Sequence, residues 1–426
     1  MVQRILQSTF VKFTSVVFVG NVVSQLIIFI AFALFARHFP KEDIGIYTIF
    51  ISLSIVLAII ATGRYELAIM LPKKDNEAFS LFKASVVLAA VFSIVLFAVV
   101  ELLPLHLLFS NFTTFTTLKP YLYLLPLGVF FMASFQSCLL FNNRLEKYTQ
   151  NAVLKILQAV LMLSLSFSLV KYCYSVATAL VLAWVISQAI VLVVNLAMYV
   201  PFYKNGYSLA QTQELLKKYK RYPTIALTGN FVETLANELP NYIIPTFYGV
   251  ATQTLYAYGN KVAAAPRNFI ASAVGDVFFK TSSVIAHDNP NKLLQHTKKI
   301  TLTLFVFSIS IYGIAILLSK FIFPLLFGAD YAQAAYYFNW IAFASIFMFV
   351  KQPISTIDDV VQRLKPTFVF NIVALVIKSI TLYFAASKLN NPIHAIAIYA
   401  VLNAILALFW IFYLHKMAND FKSVPS

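Results

Sequence analysis

Twelve apolar stretches, each about 20 residues long, constrain this chain more than any other feature. That is the length a helix needs to cross a bilayer's hydrocarbon core. They run Phe13–Ala36, Ile44–Thr62, Ala84–Leu103, Pro120–Phe141, Ala152–Val170, Ser175–Tyr199, Thr224–Phe247, Gln253–Asp276, Ile300–Phe323, Ala332–Val350, Pro366–Ser387 and Ile393–Leu414. In hydrocarbon every backbone polar group must be satisfied within the protein, so spans of this kind fold as helices. With 60% of its 426 residues hydrophobic and 11% charged, the composition excludes an ordinary soluble domain. The expected fold class is an all-α integral membrane protein of twelve transmembrane helices. The N-terminal MVQRILQSTFVKFTS shows no cleavage pattern and reads as the lead-in to a retained first helix.

The net charge of +16 would suggest nucleic acid in a soluble protein, but here the basic residues sit in short segments between spans. Counted by alternate segments, Lys and Arg divide 23 to 6, with Lys261, Arg267 and Lys378 left inside spans. The positive-inside rule puts both termini on the richer, cytoplasmic side. No nucleic-acid partner is expected. Cys138 and Cys173 make no disulfide framework. Phosphate-binding glycine loops, HExxH pairs and Cys/His clusters are missing from the sequence, so no catalytic residue, metal site or cofactor is assigned.

An internal repeat divides the chain. Gly20-Asn21 recurs as Gly229-Asn230, and Phe39 and Tyr47 recur as Tyr248 and Tyr256, all at an offset of 209 residues. Each half then holds six spans and runs in the same direction, related by an axis along the membrane normal. The expected domains are a six-helix lobe over 1–207, a basic linker over 208–222 and a second six-helix lobe over 223–426. The linker, SLAQTQELLKKYKRY, reads as an amphipathic helix on the cytoplasmic surface.

Polar residues inside the spans mark candidate sites. In span seven, Asn230, Glu233, Asn237 and Asn241 share one helical face, with Pro240 and Pro245 interrupting the hydrogen-bond ladder. Such a stripe faces the bundle interior or a watery cavity, as a hydrogen-bonded seam or as an ion site. Span eight, YAYGNKVAAAPRNFIASAVGDVFF, carries Lys261 and Arg267. A cation at mid-bilayer costs about 2.5–3.5 kcal/mol on insertion scales. Glu233 and Arg267 fall at similar depth, as do Glu238 and Lys261. The cations therefore either pair with these carboxylates or wait for an anion. Three cations against two glutamates leave the interior of the second half positive, which suits a phosphate-bearing substrate.

The segments GRYELAIMLPKKDNEAF after span two, FVGNVVSQLIIFIAFALFARHFPKEDIGIYTIF at the start and YAYGNKVAAAPRNFIASAVGDVFF in span eight carry a resemblance. The chain resembles the polysaccharide transporter branch of the multidrug/oligosaccharidyl-lipid/polysaccharide exporter superfamily, and within it a Wzx-type O-antigen or capsule repeat-unit flippase. The resemblance implies two six-helix lobes around a central cavity and alternating access. It implies a cargo of undecaprenyl-diphosphate-linked oligosaccharide, moved across the bacterial cytoplasmic membrane, with polysaccharide polymerase machinery as a possible partner. Arg267, Lys261 and Lys378 would bind the diphosphate. Glu233, with Asn230, Asn237, Asn241 and Asn21, would supply cavity polarity or coupling to protons or sodium. Arg64 and Glu66 would stand at the cytoplasmic mouth. The competing expectations are a cation-coupled multidrug antiporter of the same superfamily, a peptidoglycan-precursor flippase, and a membrane polymerase or ligase. A positive interior, the count of twelve spans and the short outer loops respectively disfavour them.

Overall fold

The computed structural model describes residues 22–102, 117–199, 209–361, 363 and 365–421. Among these residues the secondary structure is helical, without strands. Nine helical segments among the described residues are long and apolar enough to cross a membrane, and Val22–His38, helix α1, is a shorter apolar helix. The protein is a multi-pass membrane protein with this all-α architecture.

The first half continues with α2 (Lys41–Ala61), α3 (Asp75–Leu102), α4 (Leu125–Arg144), α5 (Tyr148–Leu169) and α6 (Val176–Ala197). A short amphipathic helix, α7 (Leu209–Lys218), forms within the basic linker. Spans seven and eight are not single helices. The first is a π-helical turn at Tyr222–Ala226, then α8 (Leu227–Glu238) and α9 (Pro240–Tyr248). The second is α10 (Val250–Pro266), a π-helical turn at Arg267–Ala271, and α11 (Ser272–Asp288). Proline explains both interruptions: Pro223, Pro240 and Pro266 cannot donate to the ladder, and their rings crowd the preceding turn. The chain ends with α12 (Leu293–Phe327), α13 (Ala334–Ile354), the single turn α14 (Ile357–Val360), α15 (Lys365–Lys388) and α16 (Pro392–Asn419).

The residues form two compact units, Met1–Glu238 and Leu239–Ser426. The division falls inside span seven rather than in the linker 208–222. The reason is packing. The linker helix α7 docks on α3 and α8 packs on α2, whereas α9 packs on α10 and α15. The repeat appears in the helix starts as well. Lys41 opens α2 and Val250 opens α10, again 209 residues apart, so Tyr47 and Tyr256 are each the seventh residue of their helix. Gly20 and Asn21 lie outside the described residues.

Each unit is held by close helix contacts rather than by a water-driven apolar core. Large apolar side chains such as Leu102, Leu317 and Phe321 point outward, as lipid-facing helices require. Buried serines, including Ser54, Ser85 and Ser137, donate back to carbonyls one turn earlier. In the first unit a Cβ on Gly128 of α4 would lie 2.9 Å from the Trp184 ring of α6 and 3.4 Å from the Phe50 ring of α2. In the second, a Cβ on Gly259 of α10 would lie 2.9 Å from the backbone nitrogen of Phe338 on α13. Ala263, one turn on, is fully buried. This small-xxx-small face brings the backbones of α10 and α13 together and so fixes where Arg267 emerges.

Candidate substrate and coupling residues

Arg267 opens the π-helical turn that follows Pro266. The widened turn rotates the side chains after it relative to α10, an irregularity frequent at functional sites. Arg267 as a whole residue is half-buried, and its Nη1 donates to the Met348 sulfur of α13 at 3.2 Å. Tyr312 of α12 and Tyr256 of α10 lie within its electrostatic reach. The Tyr312 hydroxyl is fixed by donating to the Ala263 carbonyl at 2.9 Å. Within its own unit Arg267 has no carboxylate partner among the described residues. A thioether is a weak acceptor, so most of the five N–H donors of the guanidinium remain available.

Lys261 is half-buried on α10, one and a half turns before Arg267. Lys378 is half-buried on α15, a helix whose neighbours are α9 and α16. Arg267 instead sits against α13, so Lys378 has different surroundings from the span-eight cations.

The polar face of span seven divides at Leu239. On α8, Asn230 donates to the Ala226 carbonyl at 2.8 Å, while Glu233 and Asn237 are exposed. The Glu233–Asn237 part of the stripe is thus not packed into an interhelical seam. Asn241, on α9, accepts from the buried Gln253 of α10 at 3.1 Å and ties those helices together. Glu238, considered above as a partner for Lys261, accepts from Ser52 of α2 at 2.6 Å. That bond anchors the end of α8 within the first unit. Glu233 belongs to the first unit and Arg267 to the second.

The segment after span two is a built structure and not a solvated charge cluster. Gly63 and Arg64 both adopt left-handed backbone conformations, with φ of 58° and 59°. The first is easy for glycine; the second strains an arginine. The turn drives Ala68 and Ile69 into a core of Phe79, Phe82, Phe141, Tyr199 and Leu215. Arg64 Nη1 meets Glu66 Oε1 at 3.1 Å. Glu66 is buried, and both its Oε2 and Arg64 Nε lack hydrogen-bond partners. The pair is therefore only half-satisfied. Arg144 clamps the same loop, donating to Asp75 Oδ1, the Met70 carbonyl and the Lys73 carbonyl, each at 3.1 Å. Tyr65 donates to the Leu216 carbonyl of α7 at 3.1 Å. Burial raises its phenol above the usual value, which keeps it a donor.

Sequence reasoning missed a buried amide cluster at the same end of the first unit. Asn142 Nδ2 donates to Asn151 Oδ1 at 2.8 Å and to Asn195 Oδ1 at 3.2 Å. Asn142 Oδ1 in turn accepts from Tyr199 at 2.8 Å. The signal was three asparagines near the same-side ends of three consecutive apolar stretches. Among the described residues, no group of three or more His, Cys, Asp and Glu side chains is placed to hold a metal ion.

Residues 34–336 match the family model described as "Polysaccharide biosynthesis protein". The chain belongs to the polysaccharide biosynthesis protein family. No curated protein matches the sequence. Among solved structures, one similar to this chain is an inward-facing multidrug resistance MATE family transporter of the MOP superfamily. It is 14% identical, with a TM-score of 0.74, covering 93% of this chain and 95% of that one. The lipid II flippase MurJ, in an inward closed conformation, is 15% identical with a TM-score of 0.72, covering 95% and 87%. A MOP superfamily transporter from Pyrococcus furiosus, titled for the reverse polarity of its binding pocket, is 13% identical with a TM-score of 0.63, covering 97% and 96%. At these identities the likeness is one of fold.

Proposed function

We propose that this protein is a flippase that moves oligosaccharide repeat units linked to undecaprenyl diphosphate across the bacterial cytoplasmic membrane. It works by alternating access, with both termini on the cytoplasmic side. One observation carries the reading: a guanidinium at a π-helical turn in the expected eighth span donates to a methionine sulfur, and its own unit offers it no carboxylate among the described residues. Such a group is kept at a cost, and an arriving diphosphate offers its planar fork a bidentate pair of oxygen acceptors. Family membership supplies the polysaccharide context. The fold it shares with a lipid II flippase makes a lipid-linked cargo compatible with this architecture.

In this reading Arg267 grips the diphosphate, with Lys261 and Lys378 as further cations. Arg64, released from the half-satisfied pair with Glu66, meets the headgroup at the cytoplasmic mouth. Glu233, exposed among polar neighbours on α8, binds the coupling proton or sodium ion. A cationic drug as cargo is disfavoured, because Arg267 would repel it. The product would pass to polysaccharide polymerase machinery on the far side. The test is polymer display in cells whose only copy of this chain carries Arg267→Ala. Display should be lost while the protein still inserts; normal display removes Arg267 as a substrate contact.

A further inference from the structure

Span eight lies along α13 through two glycine contacts, one on each side of the π-helical turn. A Cβ on Gly259 would lie 2.9 Å from the Phe338 backbone nitrogen, and one on Gly275 would lie 3.5 Å from the Pro353 Cα. Arg267 stands eight residues from each glycine. Backbones this close leave little room to slide, so the level at which Arg267 meets α13 is set by main chain rather than by side chains. At that level α13 presents Met348. The chain neighbours of Met348 are engaged elsewhere. Phe347 packs on Phe305 and Phe349 on Phe307, both of α12, with ring centroids 5.7 and 6.0 Å apart. The Met348 sulfur takes the Arg267 Nη1 bond at 3.2 Å.

The chemistry of that acceptor matters more than its shape. A thioether accepts weakly, and it sits on a stem with three rotatable bonds. It can orient a guanidinium without holding it tightly, and it can withdraw when a stronger acceptor arrives. An amide oxygen in its place would bind the charged donor much more strongly and compete with an incoming anion. Leucine would fill the space and offer no acceptor. Tyr312, the other polar group of α12 near the guanidinium, already donates to the Ala263 carbonyl at 2.9 Å. The acceptor strength at position 348 is therefore part of the work of freeing Arg267 for a ligand.

We infer that Met348 is the resting partner of Arg267 and a positioning residue for diphosphate binding: it keeps the guanidinium in place but weakly bound, and so sets the affinity for the substrate. The inference rests on the reading of Arg267 as the diphosphate contact.

The test titrates undecaprenyl diphosphate into the purified full chain in detergent, with thermal unfolding as the check on folding. Met348→Leu removes the acceptor and should bind about two- to five-fold tighter, the worth of one weak hydrogen bond no longer broken. Met348→Gln supplies an amide oxygen and should bind about ten-fold more weakly. A residue that only fills space does not shift affinity in opposite directions in these two variants. Both shifts should vanish in chains that also carry Arg267→Ala. Equal or weaker binding by Met348→Leu overturns the inference, and that variant serves alone if the glutamine variant fails to fold. Binding by Met348→Gln at the parent's affinity or tighter overturns it as well. Arg267→Ala alone separates the two readings. If it binds as the parent does, the substrate role of Arg267 fails; if it binds weakly while both Met348 variants match the parent, only the role of Met348 fails.

Discussion

Arg267→Met separates a substrate contact from a structural residue, because the two roles predict opposite signs for stability. Arginine in the span costs about 2.5–3.5 kcal/mol on insertion scales. Against this stands one bond to the Met348 sulfur at 3.2 Å, a weak acceptor worth less than the ~1 kcal/mol of an ordinary hydrogen bond. Methionine keeps much of the volume and fills irregular space well. The variant should therefore unfold in detergent at the same temperature as the parent or higher. Transport should move the other way. A hydrogen bond to a charged acceptor contributes about 1.5–3 kcal/mol. At 1.4 kcal/mol per decade, its loss lowers substrate affinity about ten- to hundred-fold. Arg267→Lys should fall between, keeping the charge but losing the planar fork. The assay pairs polymer display, normalised to protein in the membrane, with thermal unfolding of the purified variant. Normal display would refute the substrate role. A loss of ~2 kcal/mol or more in stability would show Arg267 to be a packing element and refute the energetic argument.

Glu233→Gln should leave stability within about 0.5 kcal/mol, because the side chain is exposed, while removing the pH or sodium dependence of transport. An unaltered ion response would exclude it as the coupling site. Gly259→Val should destabilise the second unit by about 1–3 kcal/mol, since the added Cβ meets the Phe338 backbone, which cannot rotate away. Gly128→Ala should cost less, because the Trp184 ring it meets can shift; chemical denaturation of both variants checks the order. Asn142→Leu should cost about 1–3 kcal/mol. It strands Asn151 Oδ1, while Tyr199 keeps the Cys138 carbonyl and Asn195 keeps Gln150. A neutral thermal shift would show that the cluster is wet.

Where helices lie was legible because apolar length alone decides it in a bilayer. The α2, α3, α13, α15 and α16 segments fall within a few residues of the expected spans, apart from the N-terminal extension of α3. Prolines 240 and 245 announced the break in span seven, and Pro266 stands in the sequence where span eight breaks. They did not announce that Arg267 would sit in a π-helical turn, because the widening depends on how α10 meets α13. The 2–3 loop was legible as a motif and illegible as a structure. Its charges dominate the pattern, whereas Ala68, Ile69 and the Arg144 clamp come together only through contacts between distant segments. The amide cluster escaped for the same reason. Each asparagine alone reads as a helix-end residue, and only the packing of α4, α5 and α6 makes them one buried group.

The division of the chain at Glu238 and Leu239 gives span seven a role that a continuous helix could not have. Its first half is bound to α2, with Glu238 held by Ser52, and its second half is bound to α10 through Asn241 and Gln253. Between them Pro240 contributes no N–H, and Tyr242 and Ile243 both donate to the single carbonyl of Leu239 at 3.1 Å. Pro245 removes another donor one turn later. A segment anchored at both ends and short of hydrogen bonds in the middle bends there first. The group proposed to sense the coupling ion, Glu233, lies on one side of that bend. The group proposed to hold the diphosphate, Arg267, is carried by the other unit. In the proposed mechanism, energy from an ion gradient reaches the substrate only if binding at one changes the state of the other, and the peptide bond that joins the two units along the chain, Glu238–Leu239, immediately precedes Pro240. Replacing Pro240 with alanine restores the missing donor and stiffens the junction. It should slow transport without altering the affinity of either unit's residues for their ligands, and a turnover equal to the parent's would show that the bend takes no part.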